Sequence, residues 1–183
     1  MSAPFLTILT PTYRRPRGLA ACFESVWTQT AVARIQHVVM VDHVGRGIAE
    51  MFRRVRDYAP LVAGAYVLWL CDDDTLSTPS IVADLEAIVA AQGQPELVIA
   101  DTVKGGARWP VDPAWPPRYA AIDLNCAVVR RDVWLAHVDA YGARYEGDYD
   151  HFSALAASGV RAVRWPVILT QGGVGRGVPE VAA

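Results

Sequence analysis

One lysine, three cysteines and no apolar run of membrane-spanning length mark what this 183-residue sequence does without. Cys22, Cys71 and Cys126 are odd in number, far apart and set among apolar neighbours. That fits reduced, buried thiols with no chemical role better than a disulfide framework or a zinc site. The apolar stretches are broken every few residues by Arg, Asp or Pro, so none reaches the roughly 20 residues a bilayer requires. Met1-Ser2-Ala3-Pro4 runs straight into a strand-like segment without the basic and apolar regions of a secretory leader, so a soluble, cytoplasmic protein is expected. A net charge of −2 is too small for a non-specific nucleic-acid binder. The basic residues other than Lys104 are all arginine, the better bidentate ligand for phosphate.

What is present is an ordinary, rather apolar globular composition, 52% hydrophobic and 20% charged, long enough for one substantial core. Apolar strand-like runs alternate with helical periodicity. Phe5 to Thr10 reads as a buried strand stopped by Pro11, Arg17 to Thr28 as an amphipathic helix, and His37 to Val41 as a second buried strand. Ile48 to Tyr58 reads as a helix, Tyr66 to Cys71 as a third strand, and Thr78-Pro79 as the start of a helix reaching Gly93. Leu97 to Ala100 is a fourth strand, followed by a Pro- and Trp-rich loop holding Trp109 and Trp115. Leu124 to Val129 is expected as a strand, Asp132 to Tyr141 and Tyr149 to Ala157 as helices, and Val160 to Leu169 as one or two short strands broken by Pro166. The order predicts an open, twisted, mostly parallel α/β sheet flanked by helices in one domain over residues 1–171, with 172–183 as a glycine-rich, mobile tail.

Three of these strands finish in aspartate: Asp42, the run Asp72-Asp73-Asp74, and Asp101. Ligands of such sheets bind beyond the carboxyl ends of the strands. Three adjacent carboxylates closing an apolar strand repel one another and are costly to desolvate, so they ask for a cation, and a hard divalent ion with oxygen ligands suits them.

The order of these signals resembles glycosyltransferase family 2, nucleotide-sugar enzymes of the GT-A, Rossmann-like fold. The resemblance is carried by Thr10-Pro11-Thr12-Tyr13-Arg14-Arg15-Pro16, by Glu24-Ser25-Val26-Trp27-Thr28-Gln29-Thr30, by Val41-Asp42, and by the third strand with Asp72-Asp73-Asp74. Asn125 to Asp132 and Gly147-Asp148-Tyr149-Asp150-His151-Phe152 match the later acceptor-side segments. The family's pattern fails at His43 to Gly47, where Asp-Gly-Ser-x-Asp is usual, and at Gly147, where an acid is common.

The resemblance implies a metal-dependent, inverting, hexosyltransferase-like enzyme that moves a sugar from a nucleoside diphosphate sugar, a UDP-sugar or a GDP-sugar, to a hydroxyl acceptor. The alternative is a degenerate GT-A domain that binds a nucleotide sugar or a partner without catalysis. Pro11, Thr12, Tyr13, Arg15, Asp42, Asp72 and Asp73 are implied to bind the nucleotide sugar, Tyr13 by stacking on the base and Asp42 by accepting from a ring N–H. Asp74 and Asp72 are implied to hold Mn²⁺ or Mg²⁺, Asp74 as the direct ligand, with Asp73 pointing the other way if strand alternation persists. Asp148 is implied to be the general base, with Asp150 and Glu146 as rivals; the plainer role of Asp148 is a helix cap. Arg46 and Arg176 are further candidates for phosphate, His151 for acceptor or metal, and Trp109 and Trp115 for a sugar ring. The acceptor is open, DNA included.

Overall fold

The computed structural model describes residues 3–112 and 114–172. Strand β1 (Leu6–Thr12) leads through helix α1 (Pro16–Trp27) to β2 (Ile35–Val41). Then come α2 (Ile48–Tyr58), β3 (Tyr66–Trp69), the short β4 (Asp74–Leu76) and α3 (Ile81–Ala91). β5 (Leu97–Lys104) turns back as β6 (Ala107–Trp109), and β7 (Ala127–Arg130), α4 (Arg131–Ala136), α5 (Gly147–Ala157) and β8 (Ala162–Gly172) complete the order. The strands form one sheet in the order β2-β1-β3-β7-β5-β8-β4, with β6 paired to β5. β1, β2, β3, β5 and β8 share one direction, and β7 runs against both β3 and β5.

Side-chain alternation along the strands builds three layers. Leu6, Ile8, Leu68, Val98 and Val128 pack on one face against Cys22 and Val26 of α1 and Ile81, Leu85 and Val89 of α3. Leu9, Val67, Trp69, Ile99 and Val129 pack on the other against Met51, Phe52 and Val55 of α2 and Phe152 and Leu155 of α5. A sheet covered on both faces explains why its strands read as near-continuous apolar runs.

The boundaries differ from expectation where a polar group or proline proves tolerable. β1 runs past Pro11 to Thr12, because near a strand end the ring costs only one donor and its φ suits extended backbone. β5 continues through Asp101 to Lys104, because Arg108 and Arg164 neutralise that buried carboxylate. β8 is a single strand: its pairing with β5 jumps from Arg164 to Ile168 opposite Ile99 and Asp101, and the irregularity absorbs Pro166. The helix expected over 132–141 stops at Ala136 and gives way to a 3₁₀ turn, Val138–Tyr141.

β1 lies between β2 and β3, so the chain departs from β1 to one side and then to the other. This reversal opens a crevice at the carboxyl ends of those strands. Among the described residues no helix is long and apolar enough to cross a membrane. Residues 173–183, including Arg176, lie outside the described residues; of the expected tail, Gly172 closes β8.

Candidate functional site

The crevice is a cleft of about 540 Å³. Pro11, Thr12, Tyr13, Arg15, Asp42, Asp72, Asp73 and Asp148 all line it, brought together from four separate segments of the chain. Gly45, Gly47, Met51, Phe52, Lys104 and Asp123 line it as well, and sequence reasoning assigned none of them to the site.

At one end, Asp42 follows β2 directly and is buried. Its Oδ1 accepts from the backbone N–H of Val44 (2.9 Å) and Gly45 (2.8 Å), and its Oδ2 from that of Gly47 (3.1 Å). Burial alone would raise this carboxyl; the backbone donors outweigh it and hold Asp42 below the usual range. The loop that departs from the family pattern is thus folded around the Asp42 side chain. Tyr13 stands against it. Gly45 has φ of +79°, and a Cβ there would lie 2.4 Å from Tyr13 Cζ, so glycine is needed both for the backbone conformation and for the approach of the ring.

The Asp run sits at the middle of the cleft. β3 ends at Trp69, and Asp72-Asp73 form a turn before β4, so strand alternation does not govern where the carboxylates point. Arg15, at the start of α1, donates to Asp72 Oδ1 at 2.6 Å and lies 3.5 Å from Asp73. Asp72 Oδ2 is buried with no hydrogen-bond partner. Burial raises the Asp72 carboxyl, against the opposing effects of Thr12 and Arg15. Asp73, expected to face away, lines the cleft, whereas Asp74, expected to be the direct metal ligand, is turned inward. Asp74 is 1% exposed; Asn125 donates to it and the Lys104 ammonium is 3.2 Å from its Oδ2. Burial pushes its carboxyl up to about 6, with Lys104 restraining the rise. Single ligand atoms of Cys71, Asp73 and Asp74 lie within 4.8 Å of one another, but burial keeps the Cys71 thiol protonated, a poor donor to a hard ion.

At the far end, Asp148 occupies the first turn of α5, half-buried, its Oδ1 accepting from the Tyr149 N–H at 2.8 Å. Burial raises its carboxyl, and the charges of Asp123 and Asp150 add to the rise. Its rivals are placed less well. Asp150 is ion-paired to Arg144, which holds it low, and neither Asp150 nor Glu146 lines the cleft. Gly147 stands where an acid is common because a Cβ there would lie 2.1 Å from the Tyr141 carbonyl oxygen and 2.5 Å from the Phe52 ring.

The remaining candidates among the described residues lie outside the cleft lining. His151 is fully buried, stacked on Tyr141 at 4.0 Å with Nδ1 3.1 Å from the His137 carbonyl oxygen. Trp115 donates to the Val160 carbonyl oxygen at 2.9 Å, and it and Trp109 pack against the core. Arg46 is largely exposed, 3.9 Å from Glu50 and outside the cleft lining.

No protein-family model and no curated protein matches this sequence. Solved structures do match. TarS of S. aureus, residues 1–349 in complex with UDP, superposes with a TM-score of 0.70 at 11% identity, covering 93% of this chain and 60% of that one. The mannosyltransferase PcManGT from Pyrobaculum calidifontis, in complex with GDP-Man and Mn²⁺, gives 0.64 at 12% identity, covering 97% and 59%. The CMP:2-keto-3-deoxy-manno-octonic acid synthetase complexed with CTP gives 0.56 at 13% identity, covering 96% and 93%. This chain therefore spans about three fifths of the first two and nearly all of the third. At such identities the likeness is one of fold, and the fold is GT-A, a Rossmann-like sheet flanked by helices.

Proposed function

We propose that this chain is a metal-dependent, inverting glycosyltransferase that moves a hexosyl group from a nucleoside diphosphate sugar, UDP-linked or GDP-linked, to a hydroxyl acceptor. The reading takes residues 1–171 as one domain. The observation that carries it is the convergence in one cleft of the Pro11-Thr12-Tyr13 corner, Asp42, the Asp72-Asp73 turn and Asp148. TarS with UDP and PcManGT with GDP-Man share the fold, and Pro11 to Pro16 has neither the glycines nor the lysine expected of a nucleotidyltransferase phosphate loop.

The residues suit a hard divalent ion. Asp72 keeps one buried oxygen without a partner, and Asp73 adds a second carboxylate beside it. Among the described residues five carboxylates and two cations line the cleft, so an incoming diphosphate needs added positive charge to enter. Asp72 and Asp73 would hold Mn²⁺ or Mg²⁺, which when bound stabilises the leaving diphosphate. Tyr13 and the Asp42 loop receive the nucleoside. Asp148 takes the acceptor hydroxyl's proton as that oxygen bonds to the anomeric carbon from the face opposite the breaking bond to diphosphate oxygen, which inverts the centre.

The deciding experiment is incubation with a panel of UDP- and GDP-sugars and hydroxyl acceptors, scored for glycoside and released nucleoside diphosphate. Pyrophosphate released from a nucleoside triphosphate would place the chain with the nucleotidyltransferases. A raised melting temperature without product from any donor would make it a binding domain.

A further inference from the structure

Lys104 is the chain's single lysine and ends β5 on the cleft wall. Its ammonium lies 3.1 and 3.2 Å from the two oxygens of Asp123 and 3.2 Å from Asp74 Oδ2. Burial works against its charge, and Cys71, Asp123 and Asp74 around it more than restore it. An ammonium carries three donors, and three carboxylate oxygens face them here at distances long for charge-assisted hydrogen bonds, so a ligand phosphate at the cleft would take over one of these contacts. The side chain keeps 29% of its surface exposed, and that surface borders the cleft.

The position of Lys104 along the cleft is informative. On one side the Asp74 it touches follows the Asp72-Asp73 turn; on the other the Asp123 it touches is close enough to Asp148 for its charge to raise that carboxyl. Lys104 thus stands between the nucleoside end, at Tyr13 and Asp42, and the candidate base. A donor whose nucleoside lies at the first and whose anomeric carbon lies near the second must carry its diphosphate across the middle. We propose that Lys104 is a built-in phosphate ligand, donating directly to the diphosphate of the donor, and that Asp74 and Asp123 serve to position its ammonium rather than to bind metal. This rests on the donor-site reading of the cleft, and it accounts for the inward turn of Asp74.

A lone lysine makes the test direct. Protein grown on lysine labelled with ¹³C at Cε gives one lysine Cε signal, to be followed during titration with UDP and UMP, and with GDP and GMP, in Mg²⁺. A diphosphate should move that signal at saturation, and the matching monophosphate should move it far less. In parallel, the double substitution Lys104→Met with Asp74→Asn removes both partners of the buried pair, and the Asp123 carboxylate that loses its cation is partly exposed to solvent. It should weaken diphosphate binding about 10- to 100-fold while monophosphate affinity stays within about twofold. A Lys104 signal unmoved by saturating diphosphate overturns the proposal, and so does equal loss of diphosphate and monophosphate in the variant, which would make the lysine a structural counter-ion. Should the wild type bind neither UDP nor GDP, the donor-site reading falls and takes this one with it.

Discussion

Asp148 and His151 are three residues apart on one helix, and their surroundings give them opposite fates. Asp148 lines the cleft with a raised carboxyl, whereas Asp150, just beyond it, is neutralised by Arg144. Asp148→Asn keeps the shape and a capping oxygen, so donor affinity and melting temperature should stay near wild type while transfer falls by roughly 10²- to 10⁴-fold. Loss of stability without a specific kinetic defect would instead leave Asp148 as a helix cap. His151 has its Nε2 buried without a partner, and burial pushes its imidazole down to about 3. The unfolded chain takes up a proton near the ordinary histidine value of about 6.5, and the folded one does so only near 3. Stability from this residue is therefore complete above about pH 6.5 and is lost as pH falls, by about 2 kcal/mol at pH 5. Chemical denaturation of wild type and His151→Phe across pH 7 to 5 measures it, with a flatter profile expected in the variant.

At the scale of elements, short turns rather than strands aim the chemistry. Asp72 and Asp73 reach the cleft because β3 has already ended, and Asp42 is held by the loop it caps. The first turn of α5 sits hard against the Tyr141 turn and Phe52 of α2, with Gly147 as the contact. Gly147→Ala should drive these apart, at a cost of about 2 kcal/mol, which is roughly 4–8 °C in Tm. Because α5 carries Asp148, transfer should fall along with Tm. An alanine variant that melts and turns over like the wild type would show that the helix adjusts freely. The period-2 and helical patterns made most elements legible from the residues alone. What they did not reveal included β4 and β6, each three residues long and defined by its pairing with β8 or β5, and the 3₁₀ turns that replace the first half of the strand expected over 124–129 and shorten the helix after β7. None of these has a run long enough to show a period.

Over the whole molecule, the dominant fact is a negatively lined cleft at the switch point of the sheet. Its charge makes the anion's entry the step that needs help, so UDP or GDP affinity measured by calorimetry should fall at least about tenfold when Mn²⁺ is replaced by chelator. Equal affinity with and without metal would leave Arg15 and Lys104 as the cations of the site among the described residues.

The residues alone determined the layered α/β architecture, because buried strands and amphipathic helices each announce themselves by composition and period. They also pointed to part of the cleft's lining, since Pro11, Thr12, Tyr13, Arg15, Asp42, Asp72, Asp73 and Asp148 belong to local motifs beside strand ends and helix starts. Only the tertiary structure decided the division of labour within the Asp run. Asp74 turns inward because Lys104 and Asn125, 30 and 51 residues further along, meet it across the sheet, and Asp123 joins the site through the same lysine. Pairings of that reach leave no local pattern, because the partners are neighbours only once β5, β7 and β8 have come together.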